Sequence, residues 1–526
     1  MRDYLILVGV QLKGLFGINR FFRQKGSGAG KAARAVGASI LILFAIAFFV
    51  GAAALYNYFF LADLHVSARE DLLYSAAFGF LFLILLLTYL FLTAGSLYGG
   101  KDYELLASCP VSYRTVVLSK LTGYYLIGLL ITVVYMVPAM VFYALYASVS
   151  PLFYPVAVCN LLFIPMFPLA VSLVCGTAAS AASARAKRSA PVQTCMLFLF
   201  AALLFLLSFA GWRNETERTG VGVLFAGMPY GRFFGRSAAS PDLLIWLCFL
   251  ALSAGAFCGA FYLAAALYPR LNGRAKSRAA SRRAEQRKRE KSASPLSALY
   301  RRELKMVFSN PTLLINVVSA GIAAVILSAV FLFVKDLFLS DAVYRGYFVL
   351  FLPIGLSGFS ALSLYGATAI NVEGQELWLL KSLPVPTERK LSVKYRVSLL
   401  LSLPQTLLSM TVCAVALNVS AAECLLYFAA GVLSLCAGNY AGLIVNLFKP
   451  WFDWKNRAQA AKQSLSVLLA MLLNLLLCLL LAGTAYLFSV SGVVVGLLAC
   501  IFAGGALCAA GYLILYGAGV RRFEAL

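Results

Sequence analysis

The sequence predicts an all-α polytopic membrane protein with about twelve transmembrane helices, arranged as two pseudo-symmetric six-helix halves with interfacial amphipathic helices. Three observations lead to this fold class. Hydrophobic residues make up 62% of the 526 residues and charged residues only 12%, far from the balance of a soluble domain. Apolar runs long enough to cross a hydrocarbon core of about 30 Å recur along the chain. A loop with matching residues and spacing follows the second apolar run of each half.

Twelve apolar runs are long enough to form helices that cross the bilayer. In the first half they lie near residues 34–61, 72–95, 115–147, 152–179, 191–211 and 241–268. In the second half they lie near residues 311–334, 345–370, 390–418, 421–447, 463–488 and 491–519. We therefore expect two transmembrane halves, at 1–268 and 297–526, joined by the segment 269–296.

The basic residues indicate how these helices are oriented. If the N-terminus is cytoplasmic, the cytoplasmic loops carry most of the Lys and Arg residues, as the positive-inside rule requires. They include Arg185, Lys187, Arg188, Lys449, Lys455, Arg457, Lys462, Arg521 and Arg522. The external loop 212–240, with four arginines, is the exception. The sequence thus predicts cytoplasmic N- and C-termini. The net charge of +24 is spread over short loops and one linker, not gathered on one face as in a nucleic-acid-binding protein.

The segment 269–296 is the most basic part of the chain. It contains ten Lys or Arg residues against Glu285 and Glu290. We expect a solvated, partly disordered cytoplasmic tether, attracted to anionic lipid headgroups at about 1 kcal/mol per basic residue. A specific role in regulation or in docking a partner is the alternative.

An amphipathic stretch precedes the first apolar run of each half. In the first half, the apolar residues that share one helical face are Leu5, Val8, Leu12, Leu15 and Phe16. In the second half they are Tyr300, Leu304, Val307 and Phe308. Basic residues occupy other faces, so both stretches are expected to lie flat at the cytoplasmic interface. Their duplication supports an internal repeat.

The strongest repeat lies after the second apolar run of each half. The first copy contains Ser96-Leu97-Tyr98-Gly99, Asp102, Glu104-Leu105-Leu106, Ser108-Cys109-Pro110-Val111 and Lys120. The second copy contains Ser363-Leu364-Tyr365-Gly366, Glu376, Trp378-Leu379-Leu380, Ser382-Leu383-Pro384-Val385 and Lys394. The acidic residue and the lysine are eighteen residues apart in both copies. Two unrelated loops would not share this many positions.

Each copy is expected to form a short amphipathic helix that ends before a proline. One or two turns are too few for a helix to be stable alone. Pro110 and Pro384 disfavour helical geometry in the residue before them and direct the chain into the next apolar run. Lys120 and Lys394 are expected to extend to the cytoplasmic interface. The short helix must pack on something, which is either a partner protein or the bilayer surface, where it would form an amphipathic elbow.

This loop resembles the cytoplasmic loop of ABC-2 type ABC transporter permeases. In that family an acidic residue and a Glu-Leu-Leu run precede a Ser-x-Pro segment and a lysine, and the loop forms a coupling helix that the ATPase binds. Glu104 matches the glutamate of that run, and Trp378 takes its place in the second copy. The resemblance covers the chain as a duplicated six-helix unit, with specific residue matches at 96–120 and 363–394.

The resemblance implies a permease of an ATP-driven exporter, with two fused six-helix halves, in a bacterial cytoplasmic (inner) membrane. Its partners would be two copies of a cytoplasmic ABC ATPase subunit, which would bind ATP and Mg, and this chain would hold no cofactor. The segments 100–112 and 372–386 would contact the ATPase. The contact residues carried over are Asp102, Glu104, Leu105, Leu106, Ser108, Pro110, Glu376, Trp378, Leu379, Leu380, Ser382 and Pro384. The exported substrate would be a hydrophobic or amphipathic compound, a peptide or a lipid, and the sequence selects none of these.

We find no catalytic, metal-binding or nucleotide-binding motif in the sequence. The stretch 26–32 lacks the glycine spacing and the Ser or Thr of a phosphate-binding loop. His65 is the only histidine, and it lies in a short loop without metal-ligand spacing. The twelve cysteines include no CxxC pair and nearly all fall in apolar runs, so we expect small buried side chains. The chain is therefore predicted not to be an enzyme.

An ATP-independent secondary transporter or lipid flippase is the alternative function. Coupled secondary transporters carry charged residues at mid-membrane depth, and the apolar runs here contain almost none. Their polar side chains are mainly six amides, which are expected to bond neighbouring helices rather than ligands. The amides are Asn160, Asn316, Gln405, Asn439, Asn446 and Asn474.

Overall fold

The structure is a computed structural model. It describes residues 2–15, 47, 49–62, 64–65, 70–93, 97–98, 103–147, 149–183, 189–210, 225–235, 243–286, 294–309, 311–338, 342–363, 365–452, 454, 460 and 464–526. Every regular element in these residues is helical, which confirms the predicted all-α class. The chain divides into two compact units, Met1–Lys288 and Arg289–Leu526, and this division falls inside the predicted linker 269–296.

The first unit is built around long apolar helices. Its helices are α1 (Arg2–Leu15), α2 (Phe49–Ala62), α3 (Leu73–Leu92), α4 (Tyr103–Ser108), α5 (Tyr113–Tyr146), α6 (Phe153–Phe163), α7 (Met166–Ser183), α8 (Ser189–Ala210) and α9 (Leu243–Gln286). Both α3 and α9 pack against α5 and α7. The core between them is rich in aromatic rings, such as those of Tyr74, Phe78 and Phe153, which are fully buried.

The second unit contains a break that the apolar pattern does not reveal. Its helices are α10 (Pro295–Phe308), α11 (Pro311–Phe338), α12 (Ala342–Ser360), α13 (Leu377–Ser382), α14 (Thr387–Ala416), α15 (Ala421–Phe448), α16 (Leu465–Ser489), α17 (Val493–Ile514) and α18 (Val520–Ala525). The α-helix predicted over 345–370 ends at Ser360, and short 3-10 turns at Ala361–Ser363, Tyr365–Ala367 and Asn371–Glu376 follow it. The predicted C-terminal end of that span is therefore wrong.

Several described helices are long and apolar enough to cross a membrane. Eight meet this criterion alone, and the count is nine if the bent pair α10 and α11, which meet at 82°, is one span. The eight are Leu73–Leu90, Tyr113–Tyr146, Phe153–Ser183, Leu243–Gly273, Thr387–Ala416, Glu423–Phe448, Leu465–Ser489 and Val493–Ala525. They agree with a multi-pass membrane protein, whereas the count of twelve spans and the two six-helix halves stay predictions.

The predicted tether 269–296 is largely helical. Helix α9 continues through Pro269 to Gln286, and Tyr268, Leu271 and Asn272 are buried near the start of this extension. Ala, Arg, Lys, Glu and Gln fill much of the segment, and all five are strong helix formers. The N-terminal part of the expected tether, residues 269–286, is therefore helical, while residues 287–293 lie outside the described part.

The two amphipathic helices occupy equivalent places within their units. In the first unit α1 packs on α5, and in the second α10 packs on α14, so each contacts the helix that follows the repeated loop. The side chains that they bury in their own units are only partly those of the apolar faces predicted to lie on the membrane interface. Leu5 is largely exposed, and the buried side chains of α10 are Leu299, Glu303 and Val307, one per turn. The buried face of α10 therefore carries a carboxylate.

The amide side chains predicted on the apolar helices mostly connect separate elements. Four of the predicted amides do so: Asn160 accepts from Trp246 Nε1 at 2.9 Å, Asn439 donates to Ser402 Oγ at 3.4 Å, Asn446 Oδ1 accepts from Ile370 N at 2.7 Å, and Asn474 donates to Gly358 O at 3.0 Å. Bonding between elements is confirmed for these four. The expectation for the cysteines is wrong in general, because only Cys413 and Cys500 are buried.

Candidate functional site

The two copies of the repeated loop have the same local structure. Each contains a six-residue helix, α4 in the first unit and α13 in the second. The hydroxyl of the last serine in each helix donates to the carbonyl three residues earlier, Ser108 to Leu105 at 2.9 Å and Ser382 to Leu379 at 3.0 Å. The sequence repeat is therefore also a structural repeat.

A proline follows each short helix at the same distance. Both helices end two residues before the proline, and both prolines are exposed. The residue after each proline closes the same turn, with backbone hydrogen bonds from Val111 N to Cys109 O at 2.8 Å and from Val385 N to Leu383 O at 2.7 Å. The predicted short helix that ends before a proline is confirmed in both copies.

The apolar side chains of the two helices divide into an outward and an inward set. Leu105 is 68% exposed, Trp378 64% and Leu379 44%. Leu106 and Leu380 are buried within their own units, at 9% and 0% exposure. The expectation that these two leucines anchor a partner is corrected, because the short helix uses them to pack onto its own unit.

The acidic positions of the loop are described only in the second copy. Glu376 is exposed at the end of the last 3-10 turn, immediately before α13. Asp102 and the side chain of Glu104 lie outside the described residues. Ser108 and Ser382, two of the contact residues that the resemblance implies, are both exposed.

The C-terminal helix α18 supports the second copy of the loop. Phe523 is buried in one cluster with Leu377, Leu380 and Leu391. Lys381 Nζ donates to the carbonyl oxygen of Glu524 at 2.9 Å, and the hydroxyl of Thr387 donates to the Glu524 carboxylate at 3.0 Å. An open groove of about 480 Å³ lies between residues 381–390 and this helix. Helix α18 therefore packs against the second copy of the loop.

A buried group of four charged side chains lies behind the second loop. We call it the ion cluster, and it consists of Arg302, Glu303, Glu373 and Lys394. Lys394 Nζ lies 3.0 Å from both carboxylate oxygens of Glu303 and 2.6 Å from Glu373 Oε1. Arg302 donates two hydrogen bonds to Glu373, at 2.9 and 2.6 Å. Three of the side chains are 1% exposed and Arg302 is 33% exposed.

The ion cluster is balanced in charge and in hydrogen bonding. Two carboxylates face two cations, the hydroxyl of Tyr365 donates to Glu303 at 2.7 Å, and Lys394 also donates to the Ala369 carbonyl at 3.1 Å. Burial alone would raise the pKa of Glu373, but Lys394 and the hydrogen bonds from Arg302 outweigh it and lower the pKa to about 2. A buried ionic group requires such complete pairing, since an unpaired charge in a low dielectric is very unfavourable.

Side chains from neighbouring helices satisfy the broken segment between α12 and α13. Ser398 accepts from Gly366 N at 2.8 Å, and Asn446 accepts from Ile370 N and Asn371 N. Gly374 has φ +58°, and a Cβ there would come within 2.6 Å of the Trp454 ring, so both conformation and space require glycine. Irregular backbone that is buried in protein in this way is compatible with a membrane environment.

The sequence did not predict the ion cluster, and the expectation for its lysine is wrong. Lys120 and Lys394 were expected to reach the interface, yet both are buried, at 3% and 1% exposure. A signal was present in the sequence, because Glu303 stands at helical spacing between Leu299 and Val307 on what would otherwise be an apolar face. Pairing Lys394 with a carboxylate 91 residues away requires the tertiary fold.

Comparisons with protein-family models, with curated proteins and with solved structures give no match for this chain. The function is therefore argued from the residues themselves. Among the described residues, no three His, Cys, Asp or Glu side chains are placed to hold a metal ion. His65 is exposed.

Proposed function

We propose that this chain is the transmembrane permease subunit of an ATP-driven exporter of the ABC-2 type, which moves a hydrophobic or amphipathic compound, a peptide or a lipid. A separately encoded ATPase binds ATP and Mg and supplies the energy. One chain provides both halves of the pathway through twelve spans, and it recruits two ATPase subunits. The protein lies in a bacterial cytoplasmic membrane, with both termini and the segment 269–296 on the cytoplasmic side.

The observation that carries this proposal is the duplicated loop with outward apolar side chains. Each copy presents a leucine at the same position, Leu105 in the first and Leu379 in the second, on helices that end in the same turn. A dimeric ATPase needs one contact on each half of its permease, and a repeat of this kind supplies two equivalent contacts. Trp378 adds a large exposed ring to the second contact, of the kind that carries much of an interface's binding energy.

The position of the charged groups favours this function over an ATP-independent transporter. An ion- or proton-coupled carrier needs charged groups near the middle of the membrane. Lys394 is only seven residues from the start of α14, about 10 Å along a helix that rises about 1.5 Å per residue. The ion cluster thus belongs to the loop end of its helix. An ATP-independent secondary transporter or flippase remains the alternative function.

Purification of the tagged full-length chain from its native membrane tests the proposal. The co-purified material should hydrolyse ATP in the presence of Mg, and native mass spectrometry should find two ATPase subunits per chain. The double variant Leu105→Asp with Leu379→Asp should lose the ATPase, because the exposed apolar side chain that each loop offers to the ATPase would become charged. Leu296→Asp is the matched control, since Leu296 is an exposed leucine outside both loops.

Two results would contradict the proposal. Retention of the ATPase by the folded double variant would favour loops that lie on the bilayer as elbows. A complex with two copies of the chain per ATPase pair would show that the stoichiometry is wrong. The topology has its own test, in which a single cysteine at position 280 should react with an impermeant reagent only after the cells are opened.

A further inference from the structure

Four tyrosines lie together in the second unit, near the end of α14 that follows the loop. We call them the tyrosine shelf, and they are Tyr395, Tyr440, Tyr512 and Tyr516. The rings of Tyr395 and Tyr440 stack with their centres 4.1 Å apart, and the centres of the other two rings are 4.6 Å apart. Tyr516 is close enough to Tyr440 to interact with it electrostatically. The two pairs of rings therefore form one aromatic surface.

Helix packing places this surface across α14, α15 and α17. Helix α15 packs on both of the other two helices. Its Tyr440 stacks on Tyr395 of α14 and lies against Gly511 of α17, where a Cβ would come within 2.7 Å of the Tyr440 side chain. Tyr512 is 53% exposed, and the other three tyrosines are half-buried. The tyrosine shelf is thus open to its surroundings while its rings are held by packing.

An exposed arginine stands beside the tyrosine shelf. Arg396 follows Tyr395 in α14, and its guanidinium donates to the hydroxyl of Tyr300 in α10 at 3.4 Å. Arg396 is also close enough to Tyr516 for an electrostatic interaction. Further exposed arginines in α10 and α18 are Arg301, Arg521 and Arg522. Positive charge and aromatic rings therefore meet where α10 and α14 touch.

The lengths of the uncharged helical runs place this site at the membrane surface. After Arg396, residues 397–416 complete α14 without a charged side chain. Residues 493–512 of α17 are also uncharged and end at Tyr512. Each run contains twenty residues, which at about 1.5 Å per residue cross a hydrocarbon core of about 30 Å. Arg396 and Tyr512 thus lie at the same boundary between hydrocarbon and headgroups.

The chemistry of this surface matches the parts of a phospholipid with a negative headgroup. A guanidinium group matches phosphate in both charge and hydrogen-bond geometry. Tyrosine rings favour the membrane interface, where the ring is in apolar surroundings and the hydroxyl is hydrated. Leu400, four residues beyond Arg396 toward the membrane centre, is 55% exposed and offers apolar surface to an acyl chain.

We propose that Arg396 and the tyrosine shelf bind an anionic diacyl phospholipid of the leaflet that faces the repeated loops. Arg396 holds the phosphate, the hydroxyl of Tyr512 donates to the headgroup, and an acyl chain lies along Leu400. Because Arg396 also bonds to Tyr300, the bound lipid covers a contact between α10 and α14. The inference requires only that the chain spans a membrane. It depends neither on the ATPase nor on the transported substrate.

The test measures lipid binding by the purified full-length chain alone. The chain in detergent micelles is titrated with phosphatidylglycerol or phosphatidylcholine of identical acyl chains, and native mass spectrometry counts the bound lipids. Arg396→Gln removes the charge, and Tyr512→Phe removes one hydroxyl. Arg389→Gln is the matched control, since Arg389 is an exposed arginine about two turns earlier in the same helix. Phosphatidylglycerol with a photoreactive acyl chain then identifies the residues that the lipid contacts.

The parent chain should retain phosphatidylglycerol in preference to phosphatidylcholine, and the photoreactive lipid should label residues within 395–400 or 509–516. Arg396→Gln should weaken phosphatidylglycerol binding about tenfold, because a charged hydrogen bond to phosphate is lost. Tyr512→Phe should weaken it about threefold through the loss of a neutral hydrogen bond. Arg389→Gln should change it by about twofold or less, since solvent screens that charge. All three variants should unfold at the parent's temperature in phosphatidylcholine, which separates loss of lipid binding from loss of the fold.

Equal weakening by Arg389→Gln and Arg396→Gln would overturn the inference, because the lipid would then respond only to the general positive charge of the chain. Equal retention of the two lipids, or labelling outside the two segments, would also overturn it. Competition by glycerol 3-phosphate, which carries the phosphate without acyl chains, would indicate a site for a soluble phosphate instead. If no ATPase accompanies the chain, the proposed function fails, but these measurements on the chain alone still decide whether the lipid site exists.

Discussion

The two copies of the repeated loop share an outward surface but differ in what holds them from behind. On the surface, the short helix, its terminal serine and the turn over the proline are the same, and Leu105 and Leu379 occupy equivalent exposed positions. Behind the second copy lie the ion cluster and the C-terminal helix α18. Behind the first copy, the buried Lys120 ammonium lies 5.9 Å from the centre of the Tyr268 ring.

The shared outward surface is what a partner would contact. The support behind each loop determines how its unit would respond to that contact. Features kept in both copies are those that a symmetric partner would need on each half. The ion cluster and α18, which lie behind the second copy, affect how firmly that loop is joined to its long helices. The following predictions test this division, from the largest expected effect to the smallest.

Gln11 in α1 and Glu303 in α10 each stand two residues before a lysine and five before a phenylalanine, and methionine in place of each should have very different effects. Glu303→Met leaves two cations with one carboxylate in a buried site, and such a change typically costs about 3–5 kcal/mol. Gln11→Met removes no charge and should change stability far less. Thermal unfolding of each full-length variant in the same detergent measures the difference. Equal destabilisation would remove the basis for treating the two units as unlike.

Acidification should weaken the ion cluster through Glu373. Because the pKa of Glu373 is lowered to about 2 from 4.5, its contribution to stability is fully present above pH 4.5 and is lost as the pH falls towards 2. Thermal stability should therefore change little from neutral pH down to pH 5 through this group, and should fall below pH 4.5. Glu373→Gln should flatten that fall, and an unchanged pH profile in this variant would contradict the assignment.

Trp378 should matter more for the partner than the residue at its position in the first loop. Truncation of a large exposed ring at an interface centre typically costs about 2 kcal/mol or more, which corresponds to a weakening of about thirtyfold. Trp378→Ala should thus weaken ATPase binding more than Glu104→Ala does. Titration of purified ATPase against each variant gives the two affinities. Similar affinities would argue that the second loop is not the stronger contact.

The smallest effect is expected at the start of the helix that follows each loop. Ser112 caps α5, since its hydroxyl accepts from the backbone N–H of Thr115 at 3.2 Å, whereas Pro386 at the equivalent place in α14 offers no side-chain cap. Ser112→Ala should therefore lower stability by about 1 kcal/mol. A value near zero in thermal unfolding would show that this cap does not distinguish the loops.

Much of the fold follows from local sequence, because apolar length and helix-ending prolines act over a few residues. The short helices before Pro110 and Pro384 are examples, and so is the all-helical class. The break after Ser360 was not predicted, since its backbone groups are satisfied by distant side chains such as Asn446. The inward direction of Leu380 likewise depends on Phe523, which lies more than one hundred residues further along the chain.

The repeated loops could be recognised in the sequence, whereas the ion cluster behind the second loop could not. The exposed loop residues form a local repeat that can be read from the sequence. Glu303, Glu373 and Lys394 are each ordinary near a membrane interface, and only the fold brings them within hydrogen-bonding distance. These charged residues are unusual because they are buried, and the sequence does not show that burial.

The most direct measurement is site-specific photocrosslinking in native membranes, with a photoreactive amino acid placed at position 105 or 379 and at Leu296 as the control. These two positions lie on the outward faces of the repeated helices, and Leu296 is exposed elsewhere. We predict that both loop positions capture the ATPase subunit and that the control does not. Capture of lipid alone at positions 105 and 379 would contradict the account, because the repeated loops would then be elbows on the bilayer.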